Sequence, residues 1–129
     1  MRLKDIMKRD VITARDTDRL GDLQRTMTSA HIRHLPVLRG GQLVGMLSER
    51  DILDYRAKLD LGEDWWRATA ALAMRAPVHT GCPDDTVIEA AGRMASGRLG
   101  ALPIVDDGHL VGLVTATDLL AADASVPLE

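Results

Sequence analysis

Apolar residues along this chain follow two rhythms, and each rhythm occurs twice. Leu20, Leu23 and Met27 recur at three- and four-residue intervals, as do Val87, Ala90, Ala91 and Met94. That spacing predicts two amphipathic helices. Each stops before a pair of apolar runs: Ile32–Leu38 and Leu43–Leu47 around Arg39-Gly-Gly-Gln, then Leu99–Val105 and Leu110–Val114 around Asp106-Asp-Gly-His. Apolar runs joined by a four-residue turn containing glycine predict antiparallel hairpins. Pro36 and Pro103 cannot donate to a ladder, so they are expected at a strand start or on an outer edge. Leu43–Leu47 and Leu110–Val114 are continuously apolar, as in strands covered on both faces. A second helix is predicted from Ser48 and from Thr115. Upstream, Val11-Ile-Thr and Val78-His-Thr read as short strands, and Asp18 and Asp85 as helix N-caps.

The two copies are in register. Pro36 and Pro103, Gly45 and Gly112, Asp51 and Asp118, and Met7 and Met74 each stand 67 residues apart. A constant offset without insertion marks a duplicated supersecondary unit. The pattern divides the chain into a first repeat at 1–57, a connector at 58–67 and a second repeat at 68–123. Each repeat reads strand–helix–strand–strand–helix, behind a short apolar-and-basic lead. The class is α/β (α+β), with two tandem β-α-β-β-α repeats. At 129 residues the whole chain is the size of one compact module, whereas one repeat alone is marginal. The repeats are therefore expected to pack face to face and share a core. The chain has no Phe, one Tyr and two Trp, so that core must be aliphatic. Trp65-Trp66 reads either as a staple for the second lead or as an oligomer contact.

Charge and composition narrow the function. A net charge of −3 and a pI near 5.8 argue against bulk attraction to nucleic acid or acidic membranes. No apolar stretch approaches the length of a membrane span, and residues 1–15 lack a signal peptide's apolar centre. A single cysteine, Cys82, excludes an intrachain disulfide and a Cys-rich metal site, as suits a reducing cytoplasm. No paired carboxylates, Walker loop or nucleophile motif is present, so an enzyme is not expected, nor a metal or cofactor.

Ser48-x-x-Asp51 and Thr115-x-x-Asp118 carry the candidate chemistry, and they admit two readings. One is a helix capping box. The other is a ligand site: a helix N-terminus offers free N–H groups to an anion, and a carboxylate one turn in can accept both hydroxyls of a ribose. Arg33, His34 and Arg50 surround the first pair. The residues 67 positions on are Gly100, Ala101 and Thr117. Repeat one is thus basic where repeat two is neutral, and its site is expected to take the more highly charged ligand.

The lead ending in Ile-Met, the Val-x-Thr, the apolar-Pro-Val segment and Leu-Val-Gly-x-x-Ser/Thr-x-x-Asp together resemble the CBS motif, first named from cystathionine β-synthase. The tandem resembles a stand-alone CBS pair, whose repeats pack about a pseudo-two-fold axis. The resemblance implies a regulatory module that binds AMP, ADP or ATP, or S-adenosylmethionine, in clefts between the repeats. In that family pattern Asp51 and Asp118 hold ribose hydroxyls, and Ser48 and Thr115 meet phosphate. Thr13, Thr80, Ile32 and Leu99 wall the base pocket. It further implies a cytoplasmic homodimer with a regulated protein partner. Dimerisation is expected through apolar helix faces left uncovered: Leu20, Leu23 and Met27, with Val87, Ala91 and Met94. The alternative is a ligand-free interaction or structural module.

Overall fold

The structure, a computed structural model, describes residues 1–59 and 64–125. Asp60 and Glu63 of the connector lie outside the described residues. The chain runs α1 (Leu3–Ile6), β1 (Ala14–Arg15), α2 (Leu20–Ala30), β2 (His34–Arg39), β3 (Gln42–Ser48), α3 (Glu49–Ala57), a 3₁₀ turn (Trp65–Arg67), α4 (Ala70–Ala73), α5 (Val87–Gly97), β4 (Ala101–Asp106), β5 (His109–Thr115) and α6 (Ala116–Ser125).

Both hairpins form as read. Gly40 and Gly41 in one turn, and Asp107 and Gly108 in the other, all have positive φ, the turn type whose twist matches paired strands. The helices before them end where the period ends. His31 and Arg98 take the left-handed conformation, and the next amides, of Ile32 and Leu99, donate back to Met27 and Met94 at 3.0 and 2.9 Å. This closes each helix with an apolar residue just beyond the cap.

Three local expectations are corrected. The pairing beside each hairpin falls not on Val11–Thr13 or Val78–Thr80 but just after them. Ala14 pairs in parallel with Val37, and Gly81 with Ile104. A Cβ built on Gly81 would stand 3.0 Å from side-chain carbons of Leu102 and Leu3, so only a small residue lets the chain run this close beneath the core. Asp18 and Asp85 do not cap helices. Their carboxylates accept from Arg15 and Cys82 N–H at 2.8 and 2.9 Å, closing the loop before the helix. The α5 cap is Thr86, whose hydroxyl accepts from Glu89 N–H at 3.1 Å. Pro36 and Pro103 are buried third residues of β2 and β4, and β2 is the central strand of its sheet. Each sits opposite a residue, Met46 or Leu113, whose own backbone bonds run outward to Arg75 or Lys8, so the hairpin ladder needs no N–H from it. The Pro103 carbonyl accepts from Gly81 at 2.9 Å.

The chain forms two compact units that differ from the repeats in sequence. One joins Met1–Val11 to the chain from His79 onward; the other is Ile12–Val78. Each repeat's lead therefore packs with the body of the other repeat. A core shared face to face was expected, but the buried apolar side chains form two clusters. Leu3 and Met7 join Met94, Leu102, Ile104 and Val114. Ala70, with Met74 against it, joins Leu20, Leu35, Leu47 and Ile52. A four-residue helix has no stability of its own, and α1 and α4 exist because they close these clusters. Backbone bonds anchor them: Lys8 exchanges hydrogen bonds with Leu113 at 3.0 and 2.9 Å, and Arg75 with Met46 at 2.9 and 3.0 Å.

The two tryptophans belong to the Ile12–Val78 unit and pack on α2. Arg56 lies 4.2 Å over the Trp65 ring, and Trp66 backs onto Gly21. The helix faces expected to stay uncovered are covered. Leu20, Leu23, Met27 and Met94 are buried, with Val87 and Ala91 half-buried. Among the described residues, the exposed large aliphatic side chains on α-helices are instead Leu53, Leu72, Ile88 and Leu120.

Candidate functional site

β3 delivers Ser48 to the first turn of α3, and the two residues singled out there close on each other. The Ser48 hydroxyl accepts from Asp51 N–H at 3.0 Å, while the Asp51 carboxylate accepts from Ser48 N–H at 2.8 Å. This is a capping box. Asp51 is also the one charged side chain among the buried described residues, 7% exposed. Its second oxygen, Oδ1, accepts from Arg75 Nε at 3.0 Å. Arg75 follows Met74 in the lead of the second repeat, and the backbone bonds between Arg75 and Met46 hold it at the edge of β3.

The second copy repeats the arrangement more loosely. Thr115 N–H donates to Asp118 at 2.9 Å, and Asp118 N–H to the Thr115 hydroxyl at 3.2 Å. Lys8, in the position of Arg75, stands 3.8 Å from Asp118 Oδ1. Sequence reasoning missed both cations. The signal was present: each lead places a base directly after its methionine, 67 residues apart, but only the fold shows which carboxylate it meets.

His34 and Ser48 face each other across the β2–β3 ladder, so His34 joins this site. Burial lowers its pKa from the ordinary 6.5, opposed by the Asp51 carboxylate and aided by Arg33. The unfolded chain then binds the proton more readily than the folded one, so stability is full above about pH 6.5 and declines as pH falls below it. Urea denaturation at pH 7.5 and 5.5 checks this. The parent should lose more unfolding free energy between the two than His34→Gln, and equal losses would contradict it.

The remaining candidates are looser. Arg33 is 83% exposed and reaches Glu49 at 4.0 Å; Arg50 is exposed on α3. Ile32 packs on its cluster, as Leu99 does on the other. Leu99 also lines an open groove of about 690 Å³ along α5 with His79, Arg93 and Gly97. Thr13 is exposed, and Thr80 is half-buried, its carbonyl accepting from Arg93. No hydrogen bond joins either threonine to the capping boxes.

Two segments, residues 3–58 and 70–125, match the family model of the CBS domain. The chain belongs to the CBS-domain family. An uncharacterised protein of Methanocaldococcus jannaschii is 32% identical over 95% of this CBS pair and 90% of its own length. Another from the same organism is 33% identical over 92% of the pair. The pair spans 45% of that relative, and 23% of an inosine-5′-monophosphate dehydrogenase of Korarchaeum cryptofilum that is also 33% identical. The CBS-domain pair of protein MJ0100, solved in complex with 5′-methylthioadenosine and S-adenosyl-L-methionine, has a TM-score of 0.86 and 27% identity, covering 96% of each chain. No described helix is long and apolar enough to cross a membrane.

Proposed function

We propose that this CBS pair is a regulatory sensor that binds an adenosine-containing ligand at the N-termini of α3 and α6. The observation that carries the reading is Asp51. It is a buried carboxylate held in one orientation by a backbone N–H and a guanidinium, at a helix N-terminus that follows a strand. A carboxylate offers about four acceptor positions; two are filled, and two suit the neighbouring hydroxyls of a ribose. Thr115 and Asp118 repeat the geometry, and the solved pair of MJ0100 holds two adenosine compounds. Ser48 and Thr115, with the N–H groups of Arg50 and Thr117 in the first turns of their helices, would meet a phosphate. Arg33 and Arg50 would make the α3 site the more basic of the two.

Binding drives no chemistry in this reading. A ligand that prefers one arrangement of the chain shifts it toward that arrangement, which a regulated protein partner then senses. Leu53, Ile88 and Leu120 supply apolar surface for a homodimer. A second reading, a structural or interaction module, is favoured by one observation: both Ser/Thr–Asp pairs are already complete as capping boxes.

Calorimetry and thermal shift with AMP, ATP, 5′-methylthioadenosine and S-adenosylmethionine separate the two. A ligand that binds only the folded chain raises its melting temperature. Saturable heat and a rising melting temperature with at least one of the four are expected. A flat response to all four leaves the interaction module.

A further inference from the structure

Arg75 stands outside every motif that drew attention to this site, yet it is the side chain that neutralises the buried carboxylate. We propose that Arg75 sets the charge of the ligand accepted at the α3 site, admitting an anionic adenosine ligand in preference to a neutral or cationic one. The proposal rests on the reading that Asp51 receives the ribose.

A carboxylate only 6% exposed at its side chain is poorly screened by water, so its charge acts strongly on anything bound beside it. Left alone, it would repel a phosphate carried on the same ribose. Arg75 removes that repulsion through one hydrogen bond, Nε to Oδ1 at 3.0 Å. An arginine has five N–H donors, and among the described residues Nε is the only one engaged. Its side chain is 60% exposed, so the terminal N–H groups remain open to an anion. Two acceptor positions on Asp51 stay unfilled while Arg75 is in place. The exposed Arg33 is partly offset by Glu49 and Arg50 is exposed on α3, whereas Arg75 is hydrogen-bonded to the carboxylate itself.

The second copy supplies an internal contrast. Lys8 is 3.8 Å from Asp118 Oδ1 and makes no hydrogen bond to it, and Asp118 is the more exposed carboxylate, at 14%. An ammonium is a hydrated point charge without the guanidinium's fork. Asp118 therefore keeps more of its negative field, and the α6 site favours a neutral or cationic adenosine compound.

The test is calorimetry with AMP, 5′-methylthioadenosine and S-adenosylmethionine, in an Asp118→Ala background so that the α3 site alone reports. Arg75→Gln keeps a donor for Asp51 but removes the charge; Arg75→Lys restores the charge. The affinity ratio of AMP to 5′-methylthioadenosine should fall roughly tenfold in Arg75→Gln and recover most of that in Arg75→Lys, while S-adenosylmethionine gains. A ratio that Arg75→Gln leaves unmoved overturns the proposal, though the adenosine site stands. If the unsubstituted chain binds none of the three compounds, the adenosine reading falls and this proposal with it. Should Arg75→Gln fail to fold, the salt dependence of the ratio in the background protein decides. A decline between about 0.05 and 0.5 M salt supports charge selection, because the screening length shrinks several-fold; a constant ratio overturns it.

Discussion

Asp51→Ala is expected to weaken 5′-methylthioadenosine binding at the α3 site by two orders of magnitude or more. A ribose diol held by one ionised carboxylate makes two charge-assisted hydrogen bonds, each contributing about 1.5–3 kcal/mol. The compound is neutral, so its loss reports those bonds and not the electrostatics of a phosphate. The same substitution should lower the unfolding free energy by about 2 kcal/mol, because Ser48 N–H loses its partner in a half-buried position. The contact with a largely exposed Arg75 adds little. Asp51→Asn separates the effects, since the amide oxygen can still accept from Ser48 while the charge is gone. It should recover most of the stability and little of the affinity. Asp118→Ala should cost about half as much stability, its carboxylate being more exposed and its cation more distant. Calorimetry with the α6 site silenced by Asp118→Ala, beside urea denaturation of each single variant, measures both quantities. Stability lost with affinity intact would make Asp51 a helix cap and nothing more.

The second large effect is steric. Gly45→Ala and Gly112→Ala are each expected to destabilise their unit by about 1–3 kcal/mol, as overpacking of a closed core does. A Cβ on Gly112 would meet Met7 Sδ at 2.5 Å and the Lys8 carbonyl at 3.1 Å. On Gly45 it would meet the Met74 side chain and, at 3.2 Å, the Arg75 carbonyl. The methionine can swing away, but the carbonyl cannot, because it is bonded to the facing strand. Neither glycine has a positive φ, so alanine adds no backbone strain and the cost is one of space. The pairing predicts non-additivity: Met74→Ala with Gly45→Ala should cost clearly less than the sum of the two alone. Strict additivity in urea denaturation would show that the methionine is not what the glycine accommodates.

These outcomes mark where the sequence was legible. The periods of 3.6 and 2 placed α2, α5 and both hairpins, because Leu20, Leu23 and Met27, or the runs flanking Gly40-Gly41, express a local requirement. Caps were less legible. Asp18 and Asp85 had the right residue type for an N-cap, but the loop before the helix offered their carboxylates another N–H. Pro36 looked like an edge residue, because no sequence pattern shows on which side of a strand the missing donor falls. At the site, Ser48 with Asp51 and Thr115 with Asp118 stood out because their partners are three residues away.

The amino-acid sequence by itself determined the duplication, the elements of each repeat, the helix stops before Ile32 and Leu99 and the two Ser/Thr–Asp helix starts. All of these depend on neighbours within one turn or one hairpin. Only the tertiary structure decided that each lead completes the other repeat's unit, that Met74 and Met7 press on Gly45 and Gly112, and that Arg75 rather than Arg33 neutralises Asp51. Such contacts join residues more than twenty positions apart. Two stubs with the same apolar-and-basic pattern have no local preference between partners, so packing against the open edges of β3 and β5 makes the choice.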